Sequence, residues 1–312
     1  MIQESRFLYY EDVVTALRQE YLIEGNPENI KFDKITTLDE ADEFSLIWIK
    51  PTTQGKSDII KQTRAKAIIC DMSINVTENE INDKCLIKVT EPKYAIINII
   101  NKYFKTRYEA GIHNSTVISP EAQVAADVYV GANTYIGKAE IGRGVVIEGN
   151  CFIYDNSVIK DNVVIQAGVV IASDGFGHFK ANDKRLLHFP HIGRVVLEND
   201  THIGSNTVID RGVLGDTVIG KGSKINKMCV ISHNVSIGCN NFIAHSVCIN
   251  GSASIGDNNF LGSGAVIKNK VAIGNETIVG MGAVVVNNVP DRSMVYGNPA
   301  KIVKRSPNKP LF

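Results

Sequence analysis

An aliphatic residue recurs at every sixth position through most of the chain. Steps of six lead from Ile118 through Val124 and Val130 to Ile136, and after one five-residue step to Ile141 they resume from Ile147 to Ile171. The pattern lapses between Ala172 and His191. It returns at Leu197, Ile203 and Ile209, takes two five-residue steps through Leu214 to Ile219, and then runs unbroken from Ile225 to Val285. A period of six is too long for a lone amphipathic strand and does not fit a 3.6-residue helix. A coil satisfies it if each hexad forms one flat side and the aliphatic residue points inward. The residue after it, often glycine as at Gly131, Gly204, Gly220 and Gly238, is expected at a tight corner where Gly, Asn or Asp tolerate unusual dihedrals. Three sides close a triangular turn of about 18 residues, and the chain holds enough hexads for about nine such turns. Turns stack through parallel hydrogen bonds, and the inward aliphatics form ladders along the axis.

This hexapeptide repeat resembles that of left-handed parallel β-helix proteins. The fold expected is therefore mainly β: a left-handed β-helix over residues 109–290, with a loop insertion at 172–191. A bare prism has flat faces and usually no deep pocket, so small-molecule sites are expected between neighbouring copies. Closed three-fold symmetry suits a three-sided prism, and a homotrimer is expected.

Residues 1–108 have a different character. Glu11 to Tyr21 carries helical spacing, three short apolar runs (Phe44–Ile49, Ala65–Cys70 and Cys85–Val89) fit strands, and Pro92 precedes a helical stretch from Tyr94 to Phe104. A small α/β domain is expected there, and a C-terminal tail at 291–312.

Thirty-three basic and 33 acidic residues give a net charge of zero. Nothing global points to nucleic acid or an anionic membrane. The start lacks a basic stretch followed by an apolar one, so no signal peptide is expected, nor is a membrane span, and the chain is expected to be cytoplasmic. The six cysteines form no C-x-x-C pair, which suits reduced, mostly buried thiols.

The insertion and the coils after it read Asp174-Gly-Phe-Gly, His191-Ile-Gly-Arg-Val-Val, Ile209-Asp-Arg-Gly, Asp216-Thr-Val-Ile-Gly and Ile231-Ser-His-Asn-Val. In this order, over roughly residues 30 to 285, they closely resemble the UDP-3-O-acylglucosamine N-acyltransferases of lipid A synthesis. The resemblance implies that the first domain is a nucleotide-binding unit and that His233 is the catalytic base. Chemistry agrees: amide formation from a thioester needs a neutral amine, and a positioned His can take its proton. Asp210 or Asp216 is a candidate acid partner for the imidazole. Asp174 and Arg211 belong to the two most specific motifs and are candidate substrate contacts. Phe176, Phe179 and Phe189 on the insertion suit an acyl chain or sugar, or bury the loop against a neighbour. His245 lies two hexads beyond His233, hence on another side of the prism, where it lines another part of the cleft or packs at a seam.

Three segments depart from that family. Where it carries a Phe-Leu-x-Asn-Pro-x-Tyr stretch, this chain has Ile47-Trp-Ile-Lys-Pro-Thr-Thr. Trp48 retains a surface for stacking on a base, beside Lys50. A later Asn-Gly-His is replaced by Lys268-Asn-Lys270. The ending Tyr296-Gly-Asn-Pro-Ala-Lys-Ile-Val-Lys resembles CoA-dependent sugar acetyltransferases of the hexapeptide class. By that resemblance Gly262, Gly264, Gly280 and Gly282 line a pantetheine groove, or only shape corners, and Lys268, Lys301 and Lys304 meet CoA phosphates, with a solvated corner as the alternative for Lys268. The combination favours transfer from acyl-CoA, as co-substrate, to a dTDP- or UDP-linked amino-deoxysugar in O-antigen or capsule synthesis. The alternative is a lipid A N-acyltransferase using acyl carrier protein. No tightly bound cofactor and no metal are expected, because the zinc carbonic anhydrases of this fold need a His-x-x-x-x-His pair that is missing here. A structural β-helix would carry regular Thr ladders, and the outward positions here are irregular.

Overall fold

A computed structural model describes residues 7–28, 30–77, 81, 83–105 and 108–303. The chain divides into two compact units, Met1–Arg107 and Tyr108–Phe312.

The first unit holds a five-stranded sheet in the spatial order Tyr21–Gly25, Cys85–Val89, Ala67–Asp71, Ser45–Trp48 and Lys34–Ile35. The first pair is antiparallel and the others are parallel. Neighbouring residues point to opposite faces of a strand. Leu46, Ile69 and Ile87 pack in one core and Ile47, Ile68 and Leu86 in another. Both faces are covered, which is why these strands read as unbroken apolar runs. The helix expected to reach Tyr21 spans only Tyr10–Ala16. Tyr21 instead opens an edge strand that pairs with all of Cys85–Val89, so tertiary pairing overrides the local helical spacing. The later helix runs over Pro92–Ile99 and continues as one wider turn, closed by the Lys105 N–H on the Ile100 carbonyl at 2.8 Å.

The second unit is a left-handed parallel β-helix. Its three walls are sheets of eight, nine and eleven strands. Rungs stack in register, so that Ile225, Ile243, Leu261 and Val279 follow one another up a single wall. Nearly every inward aliphatic from Val130 to Val285 belongs to one continuous buried core, each worth about 1.5–3 kcal/mol in burial. Leu214 is the exception. It is 70% exposed and no rung of the ladder, because the chain loops outward between Val208–Asp210 and Asp216–Ile219. The last strand, Lys301–Val303, folds back antiparallel on Met294–Tyr296 and covers the sheet edge.

The corners differ from expectation in one respect. Except at Ala172, where the insertion begins, the left-handed residue of a corner is three positions after the inward aliphatic, not one, as at Asn150, Asn206, Asn234 and Gly264. Glycine directly after the aliphatic serves close stacking instead. A Cβ on Gly131 would lie 2.6 Å from the Gly149 nitrogen in the next coil.

All six cysteines are free, and four are buried. Burial pushes the Cys70 and Cys85 thiols up to about 12. Among the described residues no helix is long and apolar enough to cross a membrane.

Candidate active site

The insertion leaves the nine-stranded wall after Val170–Ser173 and rejoins the eight-stranded wall at Arg194–Leu197. Between them His178–Lys180 and Leu186–His188 form an antiparallel hairpin. His233 turns the same corner of the prism, between Val230–Ile231 of the nine-stranded wall and Ser236–Ile237 of the eight-stranded wall. One edge therefore carries the insertion, the Asp210–Gly215 segment, His233 and, in the next two coils, Asn250–Ser252 and Lys268–Lys270. Phe176, Asp210, Ser232, His233 and the residues of these two corners line an open cavity of about 480 Å³.

The Asp-Gly-Phe-Gly motif acquires a physical reason here. His191 is buried, and its ring takes the space that side chains at two motif positions would need. A Cβ on Gly175 would lie 2.5 Å from its Nε2, and one on Gly177 would lie 2.8 Å from its Cε1. The Asp174 carboxylate accepts the His191 backbone N–H at 3.0 Å, and His191 Nδ1 is 2.7 Å from the Phe189 carbonyl. The His191 ring meets that of His233 edge to face, with centroids 5.1 Å apart.

Asp210 sits beside both imidazoles. Burial pushes its carboxyl above the usual range. The Ser173 hydroxyl, donating at 2.9 Å, and the charges of His233 and His191 act against that shift. Asp210 makes no hydrogen bond to His233. Asp216 is engaged elsewhere. It pairs in register with Arg194 on the neighbouring coil and accepts two bonds from that guanidinium at 2.7 and 3.1 Å, which holds its carboxyl below the usual range.

The other sequence candidates divide clearly. Phe176 is 93% exposed and stands over the cavity, whereas Phe179 and Phe189 lie outside its lining. Arg211 spends its Nε–H on the Ala172 carbonyl at 2.8 Å, bracing the root of the insertion. His245 is exposed on a different edge, between the eleven- and nine-stranded walls, with Nδ1 3.1 Å from the Ser263 hydroxyl. Gly262, Gly264, Gly280 and Gly282 turn that same edge in the two coils below. Gly262 and Gly280 are packed under Met281 and Tyr296, while Gly264 and Gly282 have open space around them and positive φ. Lys268 leaves this group and joins the His233 cavity. Lys301 is exposed on the terminal hairpin, and Lys304 lies outside the described residues.

In the first unit Trp48 and Lys50 line a cavity of about 460 Å³ with Pro51, Glu91 and Lys93. Lys50 Nζ is 5.9 Å from the Trp48 ring centre, at the limit of a cation–π contact.

Sequence reasoning missed Gly251, Asn234 and Ser173. Gly251 was within reach of it: it falls eighteen residues after His233, at the matching corner one coil on. A metal-type grouping also appears, since one ligand atom each of Asp174, His188 and His191 lie within 4.8 Å of one another. His191 Nδ1 there is already engaged by the Phe189 carbonyl.

The family of bacterial transferase hexapeptide repeats matches residues 138–173 and 252–287. The UDP-N-acetylglucosamine O-acyltransferase of Moraxella catarrhalis superposes with a TM-score of 0.57 at 22% identity, over 62% of this chain and 73% of that one. The UDP-N-acetylglucosamine acyltransferase of Campylobacter jejuni gives 0.56 at 24%, over 62% and 74%. At these identities the likeness speaks for the fold. UDP-3-O-acylglucosamine N-acyltransferase 1 of Legionella pneumophila (strain Paris) is 42% identical over 180 residues, 51% of each chain. This chain thus spans about half the length of that relative. The UDP-3-O-acylglucosamine N-acyltransferase of Methylobacillus flagellatus is 31% identical over 269 residues, 77% of this chain and 71% of its own length. With that extent of similarity, the chain belongs to the UDP-3-O-acylglucosamine N-acyltransferase family.

Proposed function

We propose that the chain transfers an acyl group from acyl carrier protein to the amino group of a UDP-linked 3-O-acylglucosamine, with His233 as general base. The observation that carries this reading is the meeting of His233, Asp210 and the insertion at one open corner. The relatives' names supply the acceptor. They favour it over the O-antigen or capsule sugar suggested by the tail, and the acyl-CoA donor gives way with it.

The amine nitrogen attacks the thioester carbonyl carbon, and the C–N bond forms as the imidazole takes the ammonium proton. The C–S bond then breaks, and the same proton passes to the departing sulfur. Asp210 stabilises the imidazolium while it exists. Taken by itself, the first unit offers Trp48 and Lys50 as a surface for a nucleotide, by stacking and by charge. Phe176 offers apolar surface to the incoming chain. A homotrimer completes the reading, since an open edge cavity on a three-sided prism gains its second wall from another copy; light scattering measures that state.

The test is thiol release from acyl carrier protein thioesters with UDP-3-O-acylglucosamine, run beside His233→Ala. Release that depends on both acceptor and His233 is expected. Turnover confined to acyl-CoA and a dTDP-amino sugar overturns the reading.

A further inference from the structure

Asn234 follows His233 at the same corner, in the left-handed region with φ 56°. Its side-chain oxygen lies 3.0 Å from the Val213 nitrogen and 3.2 Å from His233 Nδ1. A backbone N–H can only donate. The amide atom facing Val213 must therefore be the oxygen, which settles the usual ambiguity between the two ends of an asparagine amide. That oxygen has no proton to give. His233 Nδ1 bonds to it only by carrying the proton itself, and in a neutral imidazole this leaves Nε2 with the lone pair. Nε2 is the ring nitrogen that rests against Gly251, a residue of the cavity wall.

The geometry points to Asn234 as a positioning residue that fixes the tautomer of His233, with the Arg211–Gly215 turn built to hold the Val213 N–H in place; this rests on the reading of His233 as the base. The turn is where the repeat gives up its period of six, with two successive five-residue steps. It is tied down from the returning insertion. The Ile192 N–H donates to the Val213 carbonyl and the Gly193 N–H to the Gly212 carbonyl, each at 2.9 Å. Gly193 and Gly212 both press on the Gly215 carbonyl, leaving no room for a side chain. Arg211 N–H donates to the Ser173 carbonyl at 3.0 Å. With the Gly212 and Val213 carbonyls both held, the planar Gly212–Val213 peptide is fixed and its N–H points away from the Gly212 carbonyl. An outer hydrogen bond of this kind sets which nitrogen of a histidine is basic.

The experiment is nitrogen NMR on the full chain with ¹⁵N-labelled histidine, the His233 signals assigned by their loss in His233→Gln. At a pH where the ring is neutral, protonated Nδ1 and bare Nε2 are expected. Asn234→Ala is expected to shift the population toward protonated Nε2 and to lower kcat roughly 10- to 100-fold with little change in KM. Asn234→Asp keeps an acceptor and adds charge, which favours the imidazolium, so the acid limb of kcat/KM moves to higher pH. Protonated Nε2 in the unaltered chain overturns the proposal, as does an Asn234→Ala tautomer identical to the parent's. The expected tautomer in a chain without acyl transfer leaves this inference standing and overturns the role of His233 as base.

Discussion

Gly251 stands one coil beyond His233, and a Cβ placed on it would lie 2.6 Å from both Cε1 and Nε2 of the imidazole. Its φ is not in the left-handed region, so alanine is acceptable to the backbone there and the cost falls on the ring. Gly251→Ala should therefore fold and stack normally while forcing the imidazole out of position. A displacement of about 1 Å at a reacting group costs roughly 100-fold in rate. Steady-state kinetics with unchanged far-UV circular dichroism and a comparable fall in kcat is the expected result. Near-parental turnover would mean that the ring tolerates the move.

His233 itself permits a sharper split. General base catalysis contributes about 10²- to 10⁴-fold, and the imidazole is one of many groups around the acceptor. His233→Gln should lower kcat within that range and leave nucleotide-sugar binding, followed by calorimetry, close to the parent's. Equal losses in binding and rate would assign His233 to substrate recognition instead.

The β-helix was legible because its signal is redundant. Every inward position from Ile225 to Val285 repeats the same choice, and each rung is buried in the structure. The site was legible where it broke that rhythm, in the insertion and the Asp210–Gly215 turn, and at His233 through the motif that surrounds it. What stayed hidden depends on spatial neighbours that spacing does not encode. Asp210 and Asp216 were equivalent in the sequence. They part because residue 194, in register beside Asp216, is an arginine, while Ser173 and two imidazoles surround Asp210. Leu214 read as a rung because two five-residue steps bridge the gap arithmetically, yet its side chain is in solvent. Tyr21 failed for the reason common to short helical patterns: the strand that claims it lies about 65 residues away.

The contrast between Leu214 and a true rung can be measured. Ile231 is fully buried beneath the His233 corner. Ile231→Ala removes buried methyl groups and leaves a cavity, at a cost of about 2–5 kcal/mol. Leu214→Ser changes an exposed residue and should stay within about 0.5 kcal/mol. Urea unfolding of the two variants at equal chain concentration is expected to separate their midpoints plainly, with Leu214→Ser near the parent. A large loss for Leu214→Ser would return that residue to the core.

Asp210 should show the conflict between stability and use that a half-desolvated carboxylate creates. Its folded pKa is raised, chiefly by burial. A raised acid binds its proton more tightly when folded, so its contribution to stability is most favourable below the unfolded carboxylate pKa and is lost as pH rises to the folded one. At neutral pH the ionised group is therefore a net burden. Asp210→Asn removes that burden and keeps a polar side chain beside Ser173, so thermal unfolding near pH 7 should occur at higher temperature than in the parent. The gain should shrink as the pH falls through the carboxylate range, where the parent's Asp210 is itself protonated. Activity should move the other way, because the imidazolium of His233 loses the charge that stabilises it. A variant less stable than the parent at neutral pH would mean that the charge of Asp210 is already balanced by the two histidines in the resting chain.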